Sequence, residues 1–261
     1  MPVKHIASRD NALYRELLGL AECRQSRRDS GRTLLDGAHL LDEAVRAGIV
    51  PRYLVVSEAM PAGESWRESM PQVPVVVLTP SLFKKLSPVV TPTGVLSVID
   101  IPRPMADQVP GFVMLLEDIQ DPGNLGSLLR TAAAAGVEAV YLSRGCAEAW
   151  SPKALRGGQG GHFGLDIHEG ADLVAVAQGF PGRVHAAALR SSRVLYELDL
   201  TDSVAFAFGN EGAGLSEALL QATTPFSIPM AGAIESLNVA AAAAICLFER
   251  IRQAGMPKAP A

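Results

Sequence analysis

Three polar side chains in the stretch DPGNLGSLLRTAAAAG recur at steps of three residues: Asn124, Ser127 and Arg130. Residues three apart lie along one edge of an α-helix, and Asp121 and Pro122 are residue types that favour a helix start. A polar edge at the buried end of a helix costs desolvation free energy unless it contacts a ligand or a partner. A helix capped by Asp121, with Arg130 in an ordinary salt bridge, explains the same residues. The pattern alone therefore leaves both interpretations open.

The stretch VAFAFGNEGAGLS places three glycines after an apolar run that predicts a strand. Gly209 would let the backbone turn and approach another group closely. Asn210 and Glu211 then present an amide and a carboxylate at the carboxyl end of that strand. Because a carboxylate repels phosphate, the loop predicts a neutral or cationic ligand and not a pyrophosphate. A glycine turn that simply leads into a helix is the alternative, since GxxGxG is a weak signal by itself.

The stretch SIPMAGAIESLNVAAAAAICLFE is the third polar site at the end of an apolar run. Ser236 is a residue type that can cap a helix, and the alanines that follow predict a buried helix. A capped, alanine-rich core helix explains Ser236 well. It explains less well why Asn238 stands beside Ser236 at the buried end.

Composition limits the classes of function. The chain of 261 residues has a formal net charge of −4, yet residues 1–32 carry seven basic and four acidic side chains. A solvated helix face accounts for that charge run as well as a nucleic-acid contact does. The three cysteines lie far apart, and no His/Cys cluster has metal-ligand spacing, so we expect no metal site. Scattered cysteines of this kind also predict a protein of the reducing cytoplasm. The longest apolar run, LNVAAAAAICLF, is too short to cross a bilayer, so no membrane association is expected.

The order of predicted elements indicates two α/β domains. Residues 8–28 predict a helix that Ser8 caps, and short strands and helices follow, so 1–100 form a small α/β domain. Prolines 102, 104 and 110 make 101–110 a linker. From 111 to 261 strands alternate with helices, the last strand being FSIPM, which predicts a mainly parallel sheet flanked by helices. Ligands bind such sheets at the carboxyl ends of the strands.

The three polar stretches, taken together and in this order, closely resemble the signature motifs of the SpoU (TrmH) family of RNA 2′-O-ribose methyltransferases in the SPOUT superfamily. The resemblance covers roughly residues 111–253, and SPKALRGGQGGHFGL resembles the family's connecting region. The first part, with LLDGAHLLDEAVRAG and TPTGVLSVI, looks like the family's ribosomal-protein-like substrate-binding domain. The resemblance implies a deep trefoil knot in the second domain, a homodimer, and S-adenosyl-L-methionine (AdoMet) as methyl donor. It also implies a donor pocket lined by five residues: Gly209, Ile228, Leu237, Leu189 and Met230.

The same resemblance implies roles for five polar residues. Arg130 corresponds to the family's proposed activator of the ribose hydroxyl. Because an arginine stays protonated, it would orient a phosphate and stabilise developing alkoxide charge. Asn124 and Glu211 would hold Arg130 and the ribose, and Ser236 and Asn238 would order the cofactor loop and contact the target nucleotide. A site built by two subunits allows Arg130 to act on the cofactor of the partner.

The first domain would deliver the RNA, with Arg27, Arg28 and Arg32 as candidate phosphate contacts. Its resemblance to that of ribosome-associated members favours ribosomal RNA, and transfer RNA stays open.

Three other functions compete with this prediction. A dinucleotide-dependent oxidoreductase predicts GxGxxG after the first strand of a domain, and no predicted strand shows it. A non-catalytic RNA-binding module predicts loss of the polar motif residues, which are all present. A base-modifying SPOUT methyltransferase is the nearest rival, and the Asn–Arg and Ser–Leu–Asn combinations favour ribose.

Overall fold

The computed structural model describes residues 3–59, 70–87, 94–105, 109–232 and 236–255. Contacts divide the chain into two compact units. The first is Met1–Pro102 with Trp150–Phe163, and the second is Arg103–Ala149 with Gly164–Ala261.

The strands in the described ranges are short and mostly buried. In chain order they are β1 (Val3–Ile6), β2 (Arg32–Asp36), β3 (Tyr53–Ser57), β4 (Val75–Leu78), β5 (Val95–Asp100), β6 (Phe112–Leu116), β7 (Ala139–Leu142), β8 (Asp166–Glu169), β9 (Arg183–Ala187), β10 (Val204–Phe208) and β11 (Thr224–Phe226).

The helices range from five residues in α8 to 16 residues in α9. They are α1 (Ala12–Glu22), α2 (Arg24–Ser30), α3 (Ala38–Arg46), α4 (Pro80–Leu86), α5 (Pro122–Ala134), α6 (Pro152–Gly158), α7 (Leu173–Gly179), α8 (Glu217–Gln221) and α9 (Val239–Ala254). None of the helices in the described ranges is long and apolar enough to cross a membrane. Side-chain caps accept backbone N–H groups at several helix starts, among them Asp121 for α5 and Asn238 for α9.

The first unit contains a five-stranded mixed sheet in the order β1-β4-β3-β5-β2. β4 pairs in parallel with β1 and β3, whereas β5 pairs antiparallel with β3 and β2. The helix α1 buries Tyr14, Leu17 and Leu20, which lie three residues apart on one face, against this sheet. The unit therefore has its own hydrophobic core.

The segment Trp150–Phe163 belongs to the first unit although it follows β7 in the chain. Thr33 Oγ1 donates a hydrogen bond to the Trp150 carbonyl at 2.7 Å, and the Arg156 guanidinium lies 3.6 Å from the Asp36 carboxylate. Local sequence patterns do not predict contacts between residues so far apart in the chain. The predicted domains, 1–100 and 111–261, stay a prediction.

The second unit contains a six-stranded sheet in the order β11-β9-β10-β6-β7-β8, and every pairing in it is parallel. Ala205 and Ala207 of β10 pack with α7 and α8 on one face. Because side chains alternate along a strand, Phe206 points to the other face, where its ring meets Phe112 and the Arg250 side chain of α9 lies over Phe112. The predicted α/β class, with a parallel sheet flanked by helices, is confirmed. The trefoil knot stays a prediction.

The prediction of one helix over residues 8–28 is wrong. Cys23 has extended backbone angles and separates α1 from α2. The cap of α1 is Asn11, whose side chain accepts the Leu13 N–H at 3.0 Å. The Ser8 hydroxyl instead accepts the Asp10 N–H, in the turn that precedes the helix.

Two further expectations from the sequence need correction. The last strand covers Thr224–Phe226 and ends where FSIPM was expected to begin; Pro229 in that stretch lacks the N–H that a strand needs. The cap of α9 is Asn238, whose Oδ1 accepts the Ala240 N–H at 2.9 Å, and not Ser236. The strands β1 and β8 had no prediction at all, because VKHI and DIHE alternate too weakly.

Candidate active site

A pocket of about 590 Å³ opens at the carboxyl ends of β9, β10 and β11 in the second unit. Such a position is where parallel sheets bind ligands, and the volume lies within the range of small-molecule sites. All five residues predicted to hold a methyl donor line this pocket, as do two of the predicted catalytic residues: Leu189, Gly209, Ile228, Met230 and Leu237, with Glu211 and Ser236. The structure thus gathers side chains from four separate segments of the chain into one cavity.

The three polar stretches meet in a chain of side-chain hydrogen bonds. Asn124 Nδ2 of α5 donates to Glu211 Oε1 of the glycine loop. Asn238 Nδ2, at the start of α9, donates to Asn124 Oδ1 at 3.3 Å. Because Asn238 Oδ1 is engaged as the cap of α9, its amide can only turn the donor toward Asn124. The Asn124–Glu211–Asn238 cluster therefore lies beside the pocket, and Glu211 belongs to both.

Arg130 does not join this cluster. It lies six residues after Asn124 on α5, which is about 9 Å along the helix and roughly 120° around it. Its side chain is exposed, and no hydrogen bond or ion pair links it to the residues that the structure describes. The salt bridge that would make Arg130 a purely structural residue is therefore absent from the described part of the chain.

The glycine loop is held in shape by hydrogen bonds within the loop, most of them to Asn210. Asn210 Oδ1 accepts the N–H groups of Gly212 and Ala213 at 2.8 and 3.1 Å, and the Gly214 N–H donates to the Asn210 carbonyl at 2.8 Å. A Cβ on Gly209 would lie 2.3 Å from the Gly214 carbonyl oxygen. Gly209 is therefore required for closure of the loop on itself.

The residue Asp118 had no place in the sequence prediction, yet it connects three loops at the carboxyl edge of the sheet. Its φ is 55°, in the left-handed region. Its Oδ1 accepts a hydrogen bond from Ser143 Oγ at 2.6 Å after β7, and its carbonyl accepts one from Asn210 Nδ2 at 3.0 Å in the glycine loop. Non-glycine residues rarely adopt such a backbone unless their surroundings impose it. We infer that Asp118 holds the glycine loop in position.

Asp118→Ala is expected to lower the free energy of unfolding by about 1–2 kcal/mol, the cost of a left-handed backbone at a residue with a Cβ and no compensating side chain. Asp118→Asn, the matched control, should stay near the wild type, because asparagine tolerates this conformation and keeps an acceptor for Ser143. Urea unfolding of both variants measures the difference. Equal stability of the two variants would contradict this account of Asp118.

The predicted RNA contacts in the first unit need one correction. Arg27 is 4% exposed, and its Nη1 donates to the Leu20 carbonyl at 2.6 Å, so a phosphate cannot reach it. Arg28 is exposed. Arg32 is half-buried and pairs with Glu16 at 2.6 Å. Arg28 and Arg32 remain predicted contacts, and Arg27 is removed from the set.

Arg27→Ala is expected to cost about 1–3 kcal/mol of unfolding free energy, since it leaves a buried carbonyl without its charged donor. Arg28→Ala removes the same charge from an exposed position one residue further on, and we expect it to leave stability nearly unchanged. Thermal unfolding checks the pair. Similar melting temperatures for the two variants would mean that Arg27 does not support the core.

Metal ligands do not cluster in the described residues: no group of three or more His, Cys, Asp or Glu side chains there could hold a metal ion.

Two sequence profiles match the chain. The profile of the SpoU rRNA Methylase family matches residues 111–248, and that of the MRM3-like substrate binding domain matches residues 11–97. Both matches fall on the regions for which the sequence motifs predicted such domains.

Named relatives match nearly the whole chain. The 23S rRNA (guanosine(2553)-2′-O)-methyltransferase RlmP of Bacillus subtilis is 33% identical over 251 residues, which are 94% of this chain and 98% of RlmP. The 23S rRNA (uridine(2479)-2′-O)-methyltransferase of Streptomyces viridochromogenes is 30% identical over 268 residues, 96% of this chain and 92% of that enzyme.

Solved structures agree with the sequence matches. An RNA 2′-O ribose methyltransferase, 30% identical, superposes with a TM-score of 0.80 and covers 95% of this chain and 98% of its own. The SpoU methyltransferase AviRb of Streptomyces viridochromogenes, solved in complex with AdoMet, is 26% identical with a TM-score of 0.80, covering 93% and 98%. These matches confirm the resemblance that the three motifs predicted, and the chain belongs to the SpoU rRNA Methylase family.

Proposed function

We propose that this protein transfers the methyl group of AdoMet to a ribose 2′-hydroxyl of ribosomal RNA. The observation that carries the proposal is the meeting of the three family motifs in the Asn124–Glu211–Asn238 hydrogen bonds at the edge of the pocket. The family, the relatives that act on 23S rRNA and the AdoMet complex of AviRb support the same activity. A dinucleotide-dependent oxidoreductase has no support in any of them.

The residues that line the pocket suit AdoMet in their polarity and charge. Ile228, Met230 and Leu237 offer apolar side chains to an adenosine, and the loop around Gly209 offers backbone groups. Glu211 places a carboxylate at the pocket wall, which attracts a sulfonium and repels a pyrophosphate.

The reaction needs alignment and charge stabilisation more than a strong base. When bound, AdoMet would supply an activated methyl group together with its leaving group. We propose that Asn124 and Asn238 orient the ribose and that Ser236 contacts the target nucleotide at the pocket rim. Arg130 would bind the adjacent phosphate and stabilise the 2′-oxygen while the hydroxyl proton passes to solvent water and the oxygen takes the methyl group from the sulfonium. Glu211, held by its hydrogen bond with Asn124, would keep the glycine loop in position beside the cofactor.

The distance of Arg130 from the cluster in its own chain leads us to propose a homodimer in which Arg130 completes the site of the partner. Two impaired variants test this proposal when they are mixed and allowed to exchange subunits, at an AdoMet concentration too low to fill the weakened Gly209→Ala pocket. A mixed dimer of Arg130→Ala and Gly209→Ala would hold one site with both an intact pocket and an intact arginine if Arg130 acts across the dimer. Activity should then reappear on mixing. If Arg130 acts within its own chain, no mixed dimer has a complete site and the mixture stays inactive.

The first unit would present the RNA, since its residues 11–97 match a substrate binding domain. We propose Arg28 and Arg32 as phosphate contacts, which position an RNA without reading its sequence. The exposed Cys23 and the buried Cys146 and Cys246 are all free thiols, which suits the cytoplasmic location that we propose for the protein.

The modified nucleotide is a separate question, because the two named relatives act on different nucleotides, a guanosine and a uridine. Mapping ribose methylation across ribosomal and transfer RNA in a deletion strain tests the substrate. We expect one 2′-O-methyl mark of ribosomal RNA to disappear and to return with the wild-type gene. Loss of a mark in transfer RNA alone, or of a base methylation, would refute the ribosomal 2′-O assignment.

A further inference from the structure

Two charged side chains stand among the described residues that line the pocket: Arg190 and Glu211. Glu211 is engaged by Asn124. The guanidinium of Arg190 is exposed and has neither a hydrogen bond nor an ion pair with any residue in the described ranges. The pocket therefore offers an incoming ligand one unsatisfied cation.

The backbone on both sides of Arg190 is anchored to the neighbouring strand region. Before it, the Ala188 N–H donates to the Phe226 carbonyl at 2.8 Å. After it, Ser191 Oγ donates to the Pro225 carbonyl at 2.9 Å, and the Ser227 N–H donates to the Arg193 carbonyl at 3.0 Å. Because hydrogen bonds hold the flanking residues, the Cα atom of Arg190 has a fixed position at the pocket rim.

The two charges belong to different strands of the sheet. Arg190 follows β9 and Glu211 follows β10, while Asn124 comes after β6 on the far side of β10. Arg190 and Glu211 therefore leave the sheet from adjacent strands, and Asn124, which binds Glu211, comes from the strand beyond β10 on the side away from Arg190. The pocket wall is thus negative toward the reaction centre and positive away from it.

A ligand that matches this polarity carries a cation at its reacting atom and an anion at its other end. On the basis of the function proposed above, we propose that Arg190 binds the α-carboxylate in the methionine part of AdoMet, while Glu211 faces the sulfonium. A guanidinium pairs with a carboxylate through two parallel hydrogen bonds, which fixes orientation as well as adding affinity. Arg190 would thereby point the methyl group toward the Asn124–Glu211–Asn238 cluster.

Calorimetric titration with AdoMet and with decarboxylated AdoMet, which lacks only this carboxylate, isolates the contact. The wild type should bind AdoMet about tenfold more tightly than the decarboxylated compound, the scale of a hydrogen-bonded charge pair at a partly exposed site. Arg190→Gln should weaken AdoMet binding by about the same factor and leave decarboxylated AdoMet within about twofold, so that the preference disappears. Arg193→Gln removes a nearby exposed arginine that does not line the pocket, and it should bind both compounds like the wild type.

The other outcomes overturn the inference in distinct ways. Equal weakening of both compounds in Arg190→Gln would mean that the arginine contacts the adenosine. Unchanged binding of both, with weaker binding of ribosomal RNA, would assign Arg190 to an RNA phosphate. A wild type that binds neither compound would refute the proposed function itself, together with this inference.

Discussion

Arg130→Ala is expected to slow methyl transfer about a hundredfold or more, the usual scale for losing one charge-stabilising or proton-handling group. The side chain is exposed and makes no hydrogen bond or ion pair with a described residue, so its removal should leave thermal stability nearly unchanged. Since Arg130 does not line the pocket of its own chain and is proposed to contact the RNA, AdoMet affinity should change little. Single-turnover transfer to bound RNA, with calorimetry and thermal unfolding on the same preparation, measures the three quantities separately.

Arg130→Lys distinguishes a role in chemistry from a general need for positive charge. Lysine keeps the charge but lacks the planar fork that pairs with a phosphate through two hydrogen bonds. We therefore expect poor rescue of the rate. A folded Arg130→Ala protein with near wild-type transfer would refute the catalytic role and leave Asn124 and Asn238 as the residues to test next.

Gly209→Ala is expected to weaken AdoMet binding at least about tenfold and to cost about 1–3 kcal/mol of stability, as overpacking of a tight site usually does. The added Cβ would lie 2.3 Å from the Gly214 carbonyl oxygen and 2.6 Å from the Leu215 nitrogen. Both are backbone atoms, so the loop that lines the pocket must move. Calorimetry with AdoMet and urea unfolding give the two effects.

Gly212→Ala is the matched control within the same loop. A Cβ there would meet Asn210 Oδ1 at 3.4 Å, an ordinary van der Waals contact, so binding and stability should stay close to the wild type. If both glycine variants bind AdoMet normally, the account of the loop as a closed, cofactor-shaping turn is wrong.

The site was predictable from the sequence where a residue type and its position after a strand both matter. The polar residues Asn124, Glu211 and Asn238 each follow an apolar strand or start a helix, and the carboxyl ends of parallel strands meet at one edge. Their shared location therefore follows from the strand order. The hydrogen-bond partners do not follow, because side-chain direction depends on packing that no local pattern encodes.

Tertiary context explains the errors. Arg27 stands in a basic run that reads as solvated, yet its guanidinium is buried on the Leu20 carbonyl. Asp118 has a left-handed backbone conformation that its residue type does not predict. Its hydrogen-bond partners Ser143 and Asn210 lie 25 and 92 positions away in the chain. Contacts of this range are invisible to periodicity and capping rules.

The central claim is tested most directly by the position of the transferred methyl group. Purified protein would be incubated with AdoMet that carries a deuterated methyl group and with ribosomal RNA from a deletion strain, and the RNA would be digested to nucleosides for mass spectrometry. We predict one 2′-O-methylated nucleoside that carries the deuterated group on its ribose, and no such product with Arg130→Ala in the same reaction time. Label on a base, or no label on ribosomal RNA from a protein that binds AdoMet, would contradict the account.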